Sequence, residues 1–166
     1  TLGSKFEYND YSGFEAQPTA RLMWALHHQH RLWAGISRAV RTPSRAEQNM
    51  DLLQRVVAPQ QLPFFPYVSP AVEVMLNGNE QYNSEEVLSY EIGYRTTLID
   101  NVSIDITAFY NNYSKLRSID IGSLSFNGPN LVQPLQFSND NSAQTYGFEI
   151  ATVWQMLNWW RWDANY

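Results

Sequence analysis

YEIGYRTTLIDNVSIDITAFYNNY, residues 90–113, alternates along its length. Tyr90, Ile92 and Tyr94 fall on one side of an extended chain, with Glu91, Gly93 and Arg95 on the other. After a break the pattern resumes: Val102, Ile104, Ile106, Ala108 and Tyr110 oppose Ser103, Asp105, Thr107, Phe109 and Asn111. A period of two marks a β-strand, because successive side chains leave opposite faces of a pleated backbone. In a soluble sandwich the apolar side would build a core and the polar side would face water. In a membrane barrel the apolar side meets lipid and the polar side faces the lumen. The alternation alone leaves both open.

The same reading along the chain gives about seven antiparallel strands, near 1–8, 18–27, 30–41, 87–97, 102–113, 143–155 and 159–166. Several reach lengths that suit a tilted bilayer crossing of about 9–11 residues, against the five or six typical of globular strands. The connections alternate. A medium loop (NDYSGFEAQ), a long loop at about 42–86 and another at about 114–142 are interleaved with tight turns at His28-Gln29, Asp100-Asn101 and Met156-Leu157-Asn158. Long loops at one end and short turns at the other is how outer-membrane barrels are built. Both ends of the sequence fall inside strand-like patterns, so the chain reads as a piece of something larger.

Composition narrows the function classes. Of 166 residues only 16% are charged and 14% are aromatic, which suits strands with a large non-aqueous surface. A net charge of −5 with 11 Lys and Arg gives no basic stripe, which argues against nucleic acid. The absence of cysteine excludes a disulfide scaffold and thiolate metal sites. No apolar run is long enough for a transmembrane helix. Trp154, Trp159 and Trp160 cluster beside one short turn and Tyr94 lies near another, where interfacial aromatics are expected. Arg38 breaks the apolar face of RLWAGISRAVR while Trp33 joins its polar face, through snorkelling or a register-shifting bulge.

Within the first long loop, Ser44 and Glu47 form a capping-box start, and Met50, Leu53 and Val57 continue at helical spacing. A short helix is expected over Ser44–Val57, followed by an irregular proline-rich segment, APQQLPFFPYVSPAV. HHQH (His27, His28, His30) invites a metal, but adjacent histidines in a tight turn point apart, so a solvated turn is expected. NGNE (77–80) and SNDNS (138–142) offer oxygens without the spacing of a calcium loop. No nucleophile–base pair or phosphate loop is present, so no enzyme chemistry and no cofactor is expected.

Four elements recur in order: VRTPSRAE at Arg41, NGNEQYNSEEVLSYEIGYR (77–95), ITAFYNNY, and TYGFEIATVW (145–154). In order and spacing they resemble the barrel domain of TonB-dependent outer-membrane receptors. Residues 78–85 depart from that family's pattern, lacking two prolines and a leucine. The resemblance implies an all-β fold, a partial transmembrane β-barrel of antiparallel up-and-down strands, in the outer membrane of a Gram-negative bacterium. It implies import of a scarce nutrient such as a ferric siderophore or cobalamin. The partners implied are outer-membrane lipid, a small metal-chelate ligand, and the parent's plug domain and TonB; residues 1–166 hold no plug-like segment.

On the polar face, Glu91, Arg95, Asp105, Glu149, Arg161 and Asp163 are expected to face the lumen, as ladder ion pairs or plug contacts. Gly93 and Gly147 leave room there for a close neighbour. Arg41 and Pro43 are expected to shape the loop at a strand end. A passive porin would share the strands without plug or TonB. A soluble carbohydrate-binding sandwich would bury the Leu22, Trp24 and Leu26 face.

Overall fold

The computed structural model describes residues 1–61, 67–99 and 101–166. The chain runs β1 (Leu2–Asn9), β2 (Gly13–His27), β3 (His30–Arg41), α1 (Arg45–Asn49), β4 (Asp51–Val57) and β5 (Val72–Asn77). It continues through β6 (Glu85–Ile99), β7 (Val102–Ile121), β8 (Ser125–Asn127), β9 (Asn130–Leu157) and β10 (Trp160–Asn165). These strands form one ten-stranded sheet, curled into part of a barrel, whose wall follows the order β1-β2-β3-β6-β7-β9. β10 then pairs with the turn-proximal half of β9. At the other end of β9, β5 occupies that same edge in parallel register, Val72 opposite Leu131 through Asn77 opposite Gln136, and carries β4 outside it.

The alternation settles which side faces where. Along β7, Ile106, Ala108 and Tyr110 are exposed, whereas Thr107, Phe109 and Asn111 are half-buried. Leu22 is 71% exposed, Trp24 62% and Ile92 59%. A soluble sheet hides its apolar side; this one displays it and curls around its polar side. The Leu22–Trp24–Leu26 face is unburied, so the sandwich alternative is excluded. The buried side chains Pro43, Glu47, Val74, Tyr82, Ser84, Phe137 and Ser138 gather instead in the outer-loop region, where α1 packs on β5 and β5 pairs with β9, while Thr96 is buried beside His30 towards the short turns.

All seven expected strands are present, and the structure corrects the segments between them. The connection from β1 to β2 is only Asp10–Ser12, because the Asn9 side chain accepts from the Tyr11 and Ser12 amides and closes the turn. Gly13 follows at φ 68°, a conformation glycine adopts freely. The helix expected over Ser44–Val57 stops at Asn49: Met50 is extended and β4 begins. A helix this short gains little beyond its nucleus, while β4 gains a ladder against β5. The expected loop at 114–142 is largely strand, because β7 runs on to Ile121 and β9 starts at Asn130. Irregularities at Tyr113/Leu116 and Leu116/Ser118, with Lys115 at φ 55°, break the period-two pattern there. The last turn lies at Asn158–Trp159. Of the expected turn at Asp100-Asn101, Asp100 lies outside the described residues, as do residues 62–66 of the proline-rich segment.

Candidate functional site

The polar wall is set by register. Trp33, Gly93, Thr107 and Glu149 share one row, and Arg31, Arg95, Asp105 and Ala151 the next towards the short turns. Glu91 lies one row the other way, opposite Gly35 and Phe109. Glycines on this wall are filled by neighbouring rings. A Cβ at Gly93 would lie 2.2 Å from the Trp33 indole, and one at Gly147 would lie 2.8 Å from the Phe109 ring. Aromatic cover of a strand glycine protects backbone that would otherwise be bare, which accounts for Trp33 on the polar side. Arg95 is ion-paired across the ladder with Asp105. Arg161 pairs with Asp163 along its own strand at 2.7 Å. Glu91 and Glu149 make no side-chain hydrogen bond among the described residues. Glu91 and Arg95 line a hollow of about 560 Å³ together with Arg21, Met23, Arg31 and Trp33.

Arg38 stays in register opposite Leu88, so it belongs to the apolar face with no bulge. Its guanidinium meets Glu86 at 3.1 Å and Glu15 at 3.3 Å and donates to the Ala16 carbonyl at 2.6 Å. Lys115 also reaches Glu86, at 2.5 Å. These charges lie just beyond a row formed by Ile36, Tyr90, Tyr110 and Tyr146 on adjacent strands. That outward tyrosine row bounds the apolar band on the loop side. Tyrosine at matching depth on three neighbouring strands was the signal that could have revealed it.

Towards the short turns, Trp159 and Trp160 stack at 6.1 Å and Trp154 sits opposite Trp162 and Val102. The Tyr94 hydroxyl lies 2.7 Å from His30 Nδ1, and Thr96 Oγ1 lies 3.0 Å from the same nitrogen. No group of His, Cys, Asp and Glu suited to a metal exists among the described residues.

Beyond the apolar band the long-loop end carries the densest polar chemistry. Arg41 donates to Glu47 Oε1 at 2.7 Å, to both Glu85 oxygens at 2.7 and 2.9 Å, and to the Tyr82 hydroxyl at 3.0 Å. Ser44 and Glu47 form the expected capping box, and Glu47 is 3% exposed. Hydrogen bonds from Arg41 hold the Glu85 carboxyl down at about 2. Burial pulls Glu47 up, but Arg41 and Ser44 together keep it below the ordinary carboxylate range. Burial, then the hydrogen bond to Glu85, pushes Tyr82 up to about 12. Pro43 is buried beside this network.

Asn79 Nδ2 donates to the Phe137 carbonyl at 2.9 Å, and Asn83 and Asn139 bond reciprocally at 2.7 and 3.1 Å. These bonds bring the neighbourhoods of the polar segments NGNE and SNDNS together. Pairing Arg41 with Tyr82 and Glu85 spans more than forty positions, which no local pattern could show.

A family model described as TonB dependent receptor-like, beta-barrel matches residues 1–166. No curated protein matches the sequence. A mutant of the ferric enterobactin receptor PfeA from Pseudomonas aeruginosa superposes with a TM-score of 0.76 at 22% identity, over 99% of this chain and 23% of that one. The siderophore receptor PirA from Acinetobacter baumannii gives 0.73 at 21%, over 99% and 24%. The Serratia marcescens hemophore receptor HasR, in complex with its hemophore HasA and heme, gives 0.58 at 11%, over 86% and 20%. At such identities the likeness speaks for the fold, and the chain spans about a quarter of the length of PfeA and PirA.

Proposed function

Since the chain belongs to the family of TonB-dependent receptor β-barrels, proteins of the Gram-negative outer membrane, we propose that it is one section of a receptor importing a ferric chelate of the siderophore type, driven through TonB. The observation that carries this reading is the family match across the whole of 1–166. Siderophore receptors among the similar folds favour iron over cobalamin as cargo. In this reading the apolar face meets lipid, and Glu91, Arg95, Asp105 and Glu149, on three successive rows, line the lumen. Glu91 and Glu149, without side-chain hydrogen bonds among the described residues, are the wall's contacts for cationic groups of a plug. Arg95–Asp105 and Arg161–Asp163 are ion-paired within the wall.

The test uses the full-length receptor in a Gram-negative strain stripped of its own siderophore receptors. Iron-limited growth should be restored by at least one ferric siderophore, and lost when TonB is deleted. Growth restored only with cobalamin would move the cargo, and uptake that persists without TonB would make the barrel a passive pore.

A further inference from the structure

We propose that His27, His28 and His30 form a site for the phosphate of an anionic phospholipid headgroup in the leaflet on the short-turn side, filled when the rings are protonated. The site follows from register. Trp24, Leu32, Tyr94, Ile106 and Ile150 make one continuous row of the apolar face across five strands. His30 stands in the next row towards the short turns, opposite Thr96. On β2 the period of two would send His27 to the polar face with Ala25. The irregularity between Ala25 and His27 takes up Leu26 instead and sets His27 opposite His30. Residues directly opposite in an antiparallel ladder share a face, so both imidazoles stand on the apolar side, just below its last full row. The turn brings the His28 ring to 3.8 Å from that of His27, and His30 lies 6.2 Å from His27. Adjacent histidines in a turn are expected to point apart; here the bulge and the turn gather them.

His30 is the fixed member. Its Nδ1 meets both the Tyr94 hydroxyl and Thr96 Oγ1, and its ring lies within 9° of parallel to that of Tyr94. Thr96 is 4% exposed, and a buried hydroxyl needs an acceptor. Nδ1 supplies it, which leaves the proton of the neutral ring on Nε2. His27 and His28 are exposed. Among the described residues no carboxylate pairs with any of the three. The charged groups on the adjoining strands, Arg31, Arg95 and Asp105, stand on the polar face, where Asp105 pairs with Arg95. Imidazole is the side chain that gains its charge between about pH 5 and about pH 8. Three such cations this close oppose one another, and a phosphate accepting from two or three rings removes the opposition through charge-assisted bonds. Headgroup phosphates lie where the apolar face ends, and basic clusters at that depth recruit anionic lipid. The assignment concerns the outside of the barrel and holds for any cargo.

The full-length receptor, in nanodiscs of phosphatidylcholine and phosphatidylglycerol in equal parts, is released into native mass spectrometry at about pH 5.5 and about pH 8, and the lipids it retains are counted. Wild type should retain an additional phosphatidylglycerol at the lower pH, bound about tenfold more tightly than at the higher, the worth of a charge-assisted bond. His27→Gln combined with His28→Gln should abolish that difference. His28→Arg, charged at both pH values, should keep the lipid at the higher one. His30→Gln should also lose it, and where that variant fails to reach the heat-modifiable folded form, His28→Gln in the turn carries the test. Wild-type retention that ignores pH, or a pH response that survives in the His27→Gln, His28→Gln protein, overturns the site. Equal pH-dependent retention of phosphatidylcholine, or displacement of the lipid by an excess of inorganic phosphate, overturns its assignment to an anionic headgroup.

Discussion

Gly93 and Gly35 face the same polar wall, yet the structure asks different things of them. A Cβ at Gly35 meets nothing closer than Glu91 Oε2 at 3.6 Å, whereas one at Gly93 would enter the Trp33 indole at 2.2 Å. Gly35→Ala should therefore be nearly silent. Gly93→Ala should destabilise the barrel by about 1–3 kcal/mol, the usual cost of overpacking, because a ring wedged against the sheet has no easy way out. Trp33→Ala in the same protein should recover much of that loss. The fraction of full-length receptor reaching the heat-modifiable folded form, scored across the double-mutant cycle, checks this. Equal behaviour of the two glycine variants would mean that Trp33 is free to move. Arg38 teaches a related lesson: a charge on an apolar face persists because it sits at the edge of the band, with Glu86 and Glu15 within 3.3 Å.

At the scale of elements, the two ends of the segment between Arg41 and Glu85 are braced against each other. Arg41, Glu47, Tyr82 and Glu85 tie its two ends together, and the Asn83–Asn139 pair ties it to β9. The pH response follows from the signs. Glu47 and Glu85 are depressed in the fold, so their stabilisation is complete above the unfolded carboxylate range near 4.3 and fades as pH falls below it, for Glu85 towards about 2. Tyr82 is raised, so its contribution is complete below about 10 and fades as pH climbs towards about 12. A spin label on Ala46→Cys, unique because the chain has no cysteine, should show constant mobility from about pH 5 to about pH 9.5 and loosen below about pH 3. Glu47→Gln should loosen it at neutral pH, at a cost of about 1.5–3 kcal/mol. A label equally mobile in both proteins at pH 7 would sink the brace. The capping box and the Arg41–Pro43 element were legible because their signals are local. β4, β5 and β8 were not, since β5 and β8 pair with the distant β9, β5 in parallel register, and β4 pairs only with β5. The far halves of β7 and β9 were masked by bulges and by Pro134, whose missing amide argues against a strand. The two faces of β6 and β7 were readable from alternation, but the rings that fill the wall's glycines needed the register.

For the whole molecule, the sheet inverts the usual economy of a fold: its large apolar residues are mostly exposed, and most of its few buried side chains cluster at the long-loop end. Such a sheet is stable only if lipid takes the place of a core. Ile106 and Thr107 isolate this, since they are neighbours in sequence on opposite faces. Ile106 lies between Tyr94 and Ile150 on the apolar face and Thr107 between Gly93 and Glu149 on the polar face. Ile106→Arg should destabilise the full-length receptor by about 2–4 kcal/mol in bilayers, the range for a cation near the midplane. Thr107→Arg brings its charge beside the carboxylate of Glu149 and should cost far less. Denaturant unfolding of both variants in liposomes measures the difference directly. A water-facing apolar side would reverse the order, because an arginine at position 106 would then be solvated and one at 107 buried. The sign of that single comparison therefore tests the orientation of every strand in the wall, from β1 to β10.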